Sequence, residues 1–261
     1  MVTSATLKSA TLDGVKLAYL DTGAGDPPLL FIHGWCCDHT YWRDQIPEFA
    51  QQHRVVAVDL RGTGDSDKPD QDYTIAQFAE DVAWLCDEIG LQKPVIVGHS
   101  MGGLIALNTA RKHPELSRAL VFNDAVMTPL PEQFEGLRTS LIAGLQSPAY
   151  KDAAANFVKS FMFTADSSTD LKDEITDGMA SAPQRVMHTA LASTFSDDMT
   201  AGPLPVPSLF IRAATQTATE DELKQRYPGM EVTTVDCGHF IQMEKPQQFN
   251  AILRKFIDRV A

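Results

Sequence analysis

Ser100 stands in Gly98-His99-Ser100-Met101-Gly102-Gly103, directly after the β-branched run Val95-Ile96-Val97 and before an apolar stretch over 104–110. A serine at so tight a strand-to-helix turn takes strained backbone angles, and only residues as small as Gly98 and Gly102 let the neighbouring chain pass. Its hydroxyl then projects from the carboxyl end of a strand over the amino end of a helix. Unpaired N–H groups and a partial positive charge there favour an oxyanion. The chemistry expected is nucleophilic attack on a carbonyl, with the backbone N–H of Met101 donating to the charge that develops.

A serine hydroxyl needs a base within hydrogen-bond reach. Of the seven histidines, His239 is the one that follows the last strand-like run, in Asp236-Cys237-Gly238-His239-Phe240. Its loop should emerge at the same edge of the sheet as Ser100, and Gly238 frees that loop to turn inward. His99 is expected to be fixed by packing beside the turn and His33 to brace its own loop. His53, His113 and His188 are expected at the surface or in an inserted segment.

Strand-like apolar runs at 15–20, 29–32, 55–58, 95–97 and 119–122 alternate with helix-periodic stretches at 41–49, 75–89 and 104–110. That alternation predicts an α/β protein with a mostly parallel sheet covered on both faces. From 126 to 205 only helix-period stripes occur, among them Phe134, Leu137 and Leu141, then Phe157, Phe161 and Met162, then Val186, Met187 and Leu191. The chain therefore reads as one core domain, 1–125 and 206–261, carrying a helical lid over 126–205 before the last two strands. Most stripe residues should pack on the main domain. Phe161 and Met187 are expected to line the substrate pocket together with Trp35. Strands at 208–212 and 231–235 and helices at 220–227 and 246–260 complete the pattern.

With 261 residues the chain can bury a full core, and 44% hydrophobic with 21% charged residues is ordinary for a soluble enzyme. A net charge of −12 disfavours phosphate backbones and anionic lipid, so the expected partner is a small, mostly apolar molecule rather than nucleic acid or a membrane. No stretch reads as a secretory signal or a membrane span, which predicts a cytoplasmic setting. Cys36, Cys37, Cys86 and Cys237 match no disulfide or zinc spacing. The set Cys36, Cys37, His39 and Cys237 reads as packed side chains rather than metal ligands, so neither metal nor cofactor is expected. The polar loop 59–66 lacks the Lys-Ser/Thr pair of a phosphate cradle and reads as a structural turn.

With His33-Gly34-Trp35, Asp59-Leu60-Arg61-Gly62-Thr63-Gly64-Asp65-Ser66, the turn at Ser100 and Gly238-His239 in this strand order, the chain resembles the α/β-hydrolase family throughout, apart from the lid. The resemblance implies a second oxyanion donor at the backbone N–H of Trp35 and an acid behind His239. Most members take that acid from the loop after the strand that follows the lid, where this chain has Arg212-Ala213-Ala214-Thr215-Gln216-Thr217. An amide at Gln216 orients an imidazole but supplies no charge to it. Some branches take the acid from the strand before the lid, and there this chain carries Asp124. Glu220 and Asp221 are the alternatives, although acidic residues at a helix start are already explained by the helix dipole.

The activity so implied is cleavage of a carboxylic ester or lactone through an acyl-enzyme on Ser100, with His239 as base and Asp124 as acid. Two other readings remain open. The loop Gly34-Trp35-Cys36-Cys37-Asp38-His39 is similar to that of the quinolone dioxygenases, cofactor-free enzymes of this fold in which the histidine deprotonates a heteroaromatic substrate and the serine helps to bind it. A ligand receptor on the same fold keeps the triad and hydrolyses poorly. Dehalogenases and epoxide hydrolases of the fold carry an aspartate where Ser100 stands.

Overall fold

Runs such as Leu29-Leu30-Phe31-Ile32 have no polar side to turn to water, so they form strands only where both faces are covered. In the computed structural model, which describes residues 6–129, 131–196 and 199–261, eight strands make one sheet. They are β1 (Thr6–Leu12), β2 (Val15–Thr22), β3 (Leu29–Ile32), β4 (Val55–Val58), β5 (Val95–His99), β6 (Ala119–Asn123), β7 (Ser208–Ala213) and β8 (Glu231–Val235), in the order β1-β2-β4-β3-β5-β6-β7-β8. The pairs β1–β2 and β2–β4 are antiparallel, and every pair from β4 to β8 is parallel. Alternate side chains feed two cores. Leu30, Ile32, Ile96 and Phe122 enter one, and Leu29, Phe31, Val97 and Val121 the other.

The helices that close these cores are α1 (Ile46–Phe49), α2 (Ile75–Glu88), α3 (Met101–Lys112), α8 (Glu220–Arg226), α9 (Ile241–Glu244) and α10 (Pro246–Val260). Thr74 accepts from the Gln77 N–H to start α2, which buries Phe78, Val82 and Leu85; α10 buries Phe249, Leu253, Phe256 and Ile257 on its opposite core. Between β6 and β7 lie α4 (Glu135–Gln146), α5 (Tyr150–Phe161), α6 (Thr169–Ala180) and α7 (Gln184–Thr194). Strand β1 was not expected from the sequence: it is mostly exposed and carries no apolar alternation, so it does not announce itself by a hydrophobic period.

From β3 the chain steps outward to β4 and then returns to β5 on the other side of β3. The loops leaving β3 and β5 therefore diverge, which opens a crevice at the carboxyl ends of the strands. Trp35 follows β3, Ser100 ends β5, Asp124 ends β6 and His239 follows β8, all at that edge. Helix α3 can start directly over the crevice because it meets β3 through bare glycine. A Cβ on Gly102 would lie 2.4 Å from the Ile32 carbonyl oxygen and 2.5 Å from that of His33. Both are strand backbone and cannot rotate away, so Gly102→Ala is expected to cost about 3 kcal/mol or more, read as a lowered urea midpoint.

The loop after β4 is held from within. Arg61 makes a bidentate pair with Asp81 of α2 at 2.7 and 2.6 Å, with both side chains buried.

Candidate active site

Ser100 sits at φ +54°, ψ −119°, a conformation that costs a non-glycine residue on the order of 1–3 kcal/mol and persists only when its surroundings impose it. Here its N–H donates to the Asn123 carbonyl at 2.9 Å and its own carbonyl accepts from Gly103 at 3.0 Å. Helix α3 begins at the next residue, so the Met101 N–H is one of the amides that have no acceptor within the helix.

Asp124 is also held at positive φ, +46°, with its N–H on the Ile211 carbonyl at 2.8 Å. That twist turns the carboxylate, 2% exposed, toward the neighbouring strand tip and the His239 loop. Its Oδ1 accepts from the Ala213 N–H at 2.8 Å and from Gln216 Nε2 at 3.3 Å. Its Oδ2 accepts from His239 Nδ1 at 2.6 Å. An ionised carboxylate only accepts, so Nδ1 carries the proton and Nε2 is left with its lone pair as a base. Gln216 thus stands beside Asp124 and donates to it. Glu220 instead pairs with Lys224 at the start of α8, where Thr219 and Glu222 form a capping box.

Ser100, Met101, Asp124 and His239 share a cavity of about 200 Å³ with Trp35, Phe157, Phe161, Met162 and Leu191. The Ser100 hydroxyl makes no hydrogen bond among the described residues. Such bonds often tighten only when substrate is bound. Trp35 is fixed at both ends of its ring, since Nε1 donates to the Met187 carbonyl at 2.8 Å and the indole meets Phe157 edge-on at 6.3 Å. Phe161 lies at the rim, 49% exposed. Met187 does not line the cavity, contrary to the expectation above. Its side chain is fully buried in the core, and Leu191, one turn later on the same helix face, takes the place facing the cavity.

The other histidines sort by burial. His33 accepts at Nε2 from the Leu60 N–H and holds Nδ1 2.8 Å from the Gly34 carbonyl; burial pushes its pKa below the usual range, so it braces the Trp35 loop as a neutral ring. His99 is buried beside Ser100, and its Nε2–H donates to the His239 carbonyl at 3.0 Å. Burial first, then the neighbouring His239, holds its pKa well below that of a free imidazole. His53 is buried as well, against the expectation of a surface residue, because Nδ1 sits 2.9 Å from the Pro27 carbonyl and the ring packs on Phe49. His113 faces Glu80 at 3.2 Å.

All four cysteines are buried and unpaired. Burial raises each thiol, Cys86 and Cys237 to about 12, which keeps them protonated and poor metal ligands. Asp38, His39 and Asp59 do approach within 4.8 Å of one another. Asp59 is already satisfied there: Oδ1 accepts from the His39 N–H at 2.7 Å and faces its Nδ1 at 2.9 Å, while Oδ2 accepts from the Asp65 N–H at 2.9 Å. The trio is a brace between two loops, and its histidine titrates. The Asp59 hydrogen bond raises the His39 pKa against its own desolvation. A raised histidine contributes stability that is fully present below its unfolded value of about 6.5 and is lost as pH rises through the folded pKa. The stability advantage of wild type over His39→Gln, which keeps a donor but does not titrate, should therefore be larger in urea unfolding at about pH 5.5 than at about pH 8.5, while the depressed His33 and His99 give both proteins the opposite slope.

The family model described as alpha/beta hydrolase fold matches residues 27–246. A haloalkane dehalogenase of Sphingobium indicum is 29% identical over 288 residues, spanning 97% of this chain and 95% of its own. Among solved structures, a thermophilic esterase from Thermogutta terrifontis superposes with a TM-score of 0.84 at 24% identity, covering 99% of both chains. The enol-lactonase of Burkholderia xenovorans LB400 gives 0.84 at 22% identity, covering 96% of this chain and all of the other. At those identities the two structures speak for the fold. Among the described residues no helix is long and apolar enough to cross a membrane.

Proposed function

The chain belongs to the α/β-hydrolase fold family, and from that premise we propose that it is a serine hydrolase cleaving a carboxylic ester or lactone. The observation that carries the reading is the 2.6 Å contact between His239 Nδ1 and a buried, doubly tethered Asp124 carboxylate, in the cavity that also holds Ser100. In this mechanism His239 Nε2 takes the Ser100 proton as Oγ attacks the substrate carbonyl. Asp124 keeps the ring in the correct tautomer and stabilises the imidazolium. The backbone N–H groups of Met101 and Trp35 receive the oxyanion, and His239 returns the proton to the leaving alkoxide. Water then repeats the sequence on the acyl-enzyme. The helices between β6 and β7 act as the lid, and their Phe157, Phe161 and Leu191 favour an apolar acyl group. Free buried thiols suit the reducing cytoplasm as the place of action.

Similarity to a dehalogenase does not carry that activity over. Displacing halide from an alkyl group with Ser100 would leave a serine alkyl ether, which has no carbonyl for water to attack. A carboxylate nucleophile leaves an ester, which does. Oxygenation of a heteroaromatic ring is the second reading, favoured by the loop Gly34–His39 together with the acid on β6 rather than β7. A fluorophosphonate separates the two. Covalent labelling found by peptide mass at Ser100 and nowhere else, with turnover of p-nitrophenyl esters or lactones in the absence of air, supports the hydrolase. An unlabelled Ser100 with turnover that stops without oxygen overturns it.

A further inference from the structure

His239 hangs between two parts of the chain. Its carbonyl is gripped from the core by His99 Nε2 at 3.0 Å, while its N–H donates to the Met162 carbonyl at 2.8 Å, just beyond the end of α5. The preceding residue has no room for a side chain. A Cβ on Gly238 would stand 2.7 Å from the Met162 oxygen, 3.0 Å from Phe163 Cα and 2.5 Å from Glu244 Oε1, so glycine is what lets the segment rest on the histidine loop. Phe163 stacks on Phe240 at 5.9 Å and 25°. Four residues on, Ser167 Oγ donates to Glu244 Oε2 at 2.5 Å, and the Thr164 N–H donates to Ser167 Oγ at 3.0 Å, closing the turn. The segment is therefore fastened to the histidine loop by a backbone bond and a ring contact, and to the end of α9, the helix that follows this loop, by a side-chain bond. On its other side, Met162 lines the cavity with Ser100.

We propose that residues 162–167 form a strap that sets the reach of His239 toward Ser100, with Met162, Ser167 and Glu244 as positioning residues. An acyl group long enough to press on Met162 seats the strap and the base together. The inference rests on the hydrolase reading and deepens it: the size of an apolar acyl group is read in kcat, not only in KM. An interaction completed on the way to the transition state raises kcat, whereas one present equally in the bound substrate does not. Misplacing a base by about 1 Å costs on the order of 100-fold, which leaves ample range for such an effect.

The test compares wild type, Ser167→Ala and Ser167→Thr on p-nitrophenyl acetate, butyrate and hexanoate, with active sites counted by fluorophosphonate. In the wild type kcat per active site should rise about tenfold along the series. In Ser167→Ala that rise should vanish with KM changed less than about twofold, and Ser167→Thr, which keeps the hydroxyl, should restore it. A loss of equal size on all three esters, or no loss, overturns the strap. Amide exchange at His239 examines it without substrate. Release of the N–H from Met162 in Ser167→Ala should speed exchange about tenfold over wild type, and unchanged exchange overturns the proposal whatever the esters show. Failure of fluorophosphonate to label wild-type Ser100 would instead strike the hydrolase reading, and the exchange result would still decide the strap.

Discussion

Ser100→Ala should lower ester turnover by about 10⁶-fold and leave only the slow background that the oxyanion donors and binding provide. Its stability should stay within about 0.5 kcal/mol of wild type. The two halves of that expectation come from the same geometry. The hydroxyl makes no hydrogen bond among the described residues, so its removal strands no partner. The strain at φ +54° belongs to the backbone and is unchanged with alanine. What disappears is the one atom able to form the acyl bond. Paired measurement of kcat and of the urea midpoint checks this. Near-normal turnover in a folded variant would mean that the chemistry does not pass through Oγ.

The inner strands β3, β4, β5 and β6 were legible because they are buried on both faces and so contain almost nothing polar. The limits of 29–32, 55–58 and 231–235 coincide with β3, β4 and β8. The register of β1 against β2 was not legible, since β1 lies at the sheet edge with most of its residues in water and has no apolar period to show. At the site, residue type and position after a strand pointed to Ser100 and His239, and the family resemblance pointed to Asp124; the structure brings the three to one edge because the ends of parallel strands gather there. Met187 marks where that reasoning stops. A helical stripe tells which face is apolar, but core and cavity are equally apolar, and only packing separates Met187 from Leu191. The supports of His239 were hidden for another reason. The His99 imidazole and the Met162 and Ser167 contacts act through backbone atoms or across 77 residues, and no local pattern encodes either.

Asp124→Asn should cost about 10⁴-fold in turnover with little change in KM, a far larger loss than its one hydrogen bond to His239 suggests. The carboxylate accepts from three directions: Ala213 N–H, Gln216 Nε2 and His239 Nδ1. Asparagine supplies one oxygen and one NH₂ in the same space. With its oxygen toward the Ala213 amide, its NH₂ faces His239 Nδ1. The imidazole then flips its proton to Nε2, the atom that must be empty to act as base. With its oxygen toward His239, the NH₂ collides with the Ala213 N–H as donor against donor. Either arrangement also removes the charge that stabilises the imidazolium. Gln216 makes the expectation specific to this chain. Its Nε2 is 3.3 Å from Asp124 Oδ1, so Gln216→Ala removes one of three donors and should change turnover only a few-fold, while Gln216→Glu places a second acceptor-only group where a donor stood. In wild type that second carboxylate should repel Asp124 and raise the acid limb of the pH–rate profile. In the Asp124→Asn background it returns a negative charge to the neighbourhood of the imidazole and should recover about tenfold of the lost rate. If Asp124→Asn kept its turnover while Gln216→Ala lost it, the assignment of the acid to β6 would fail, and the group orienting His239 would have to be sought after β7.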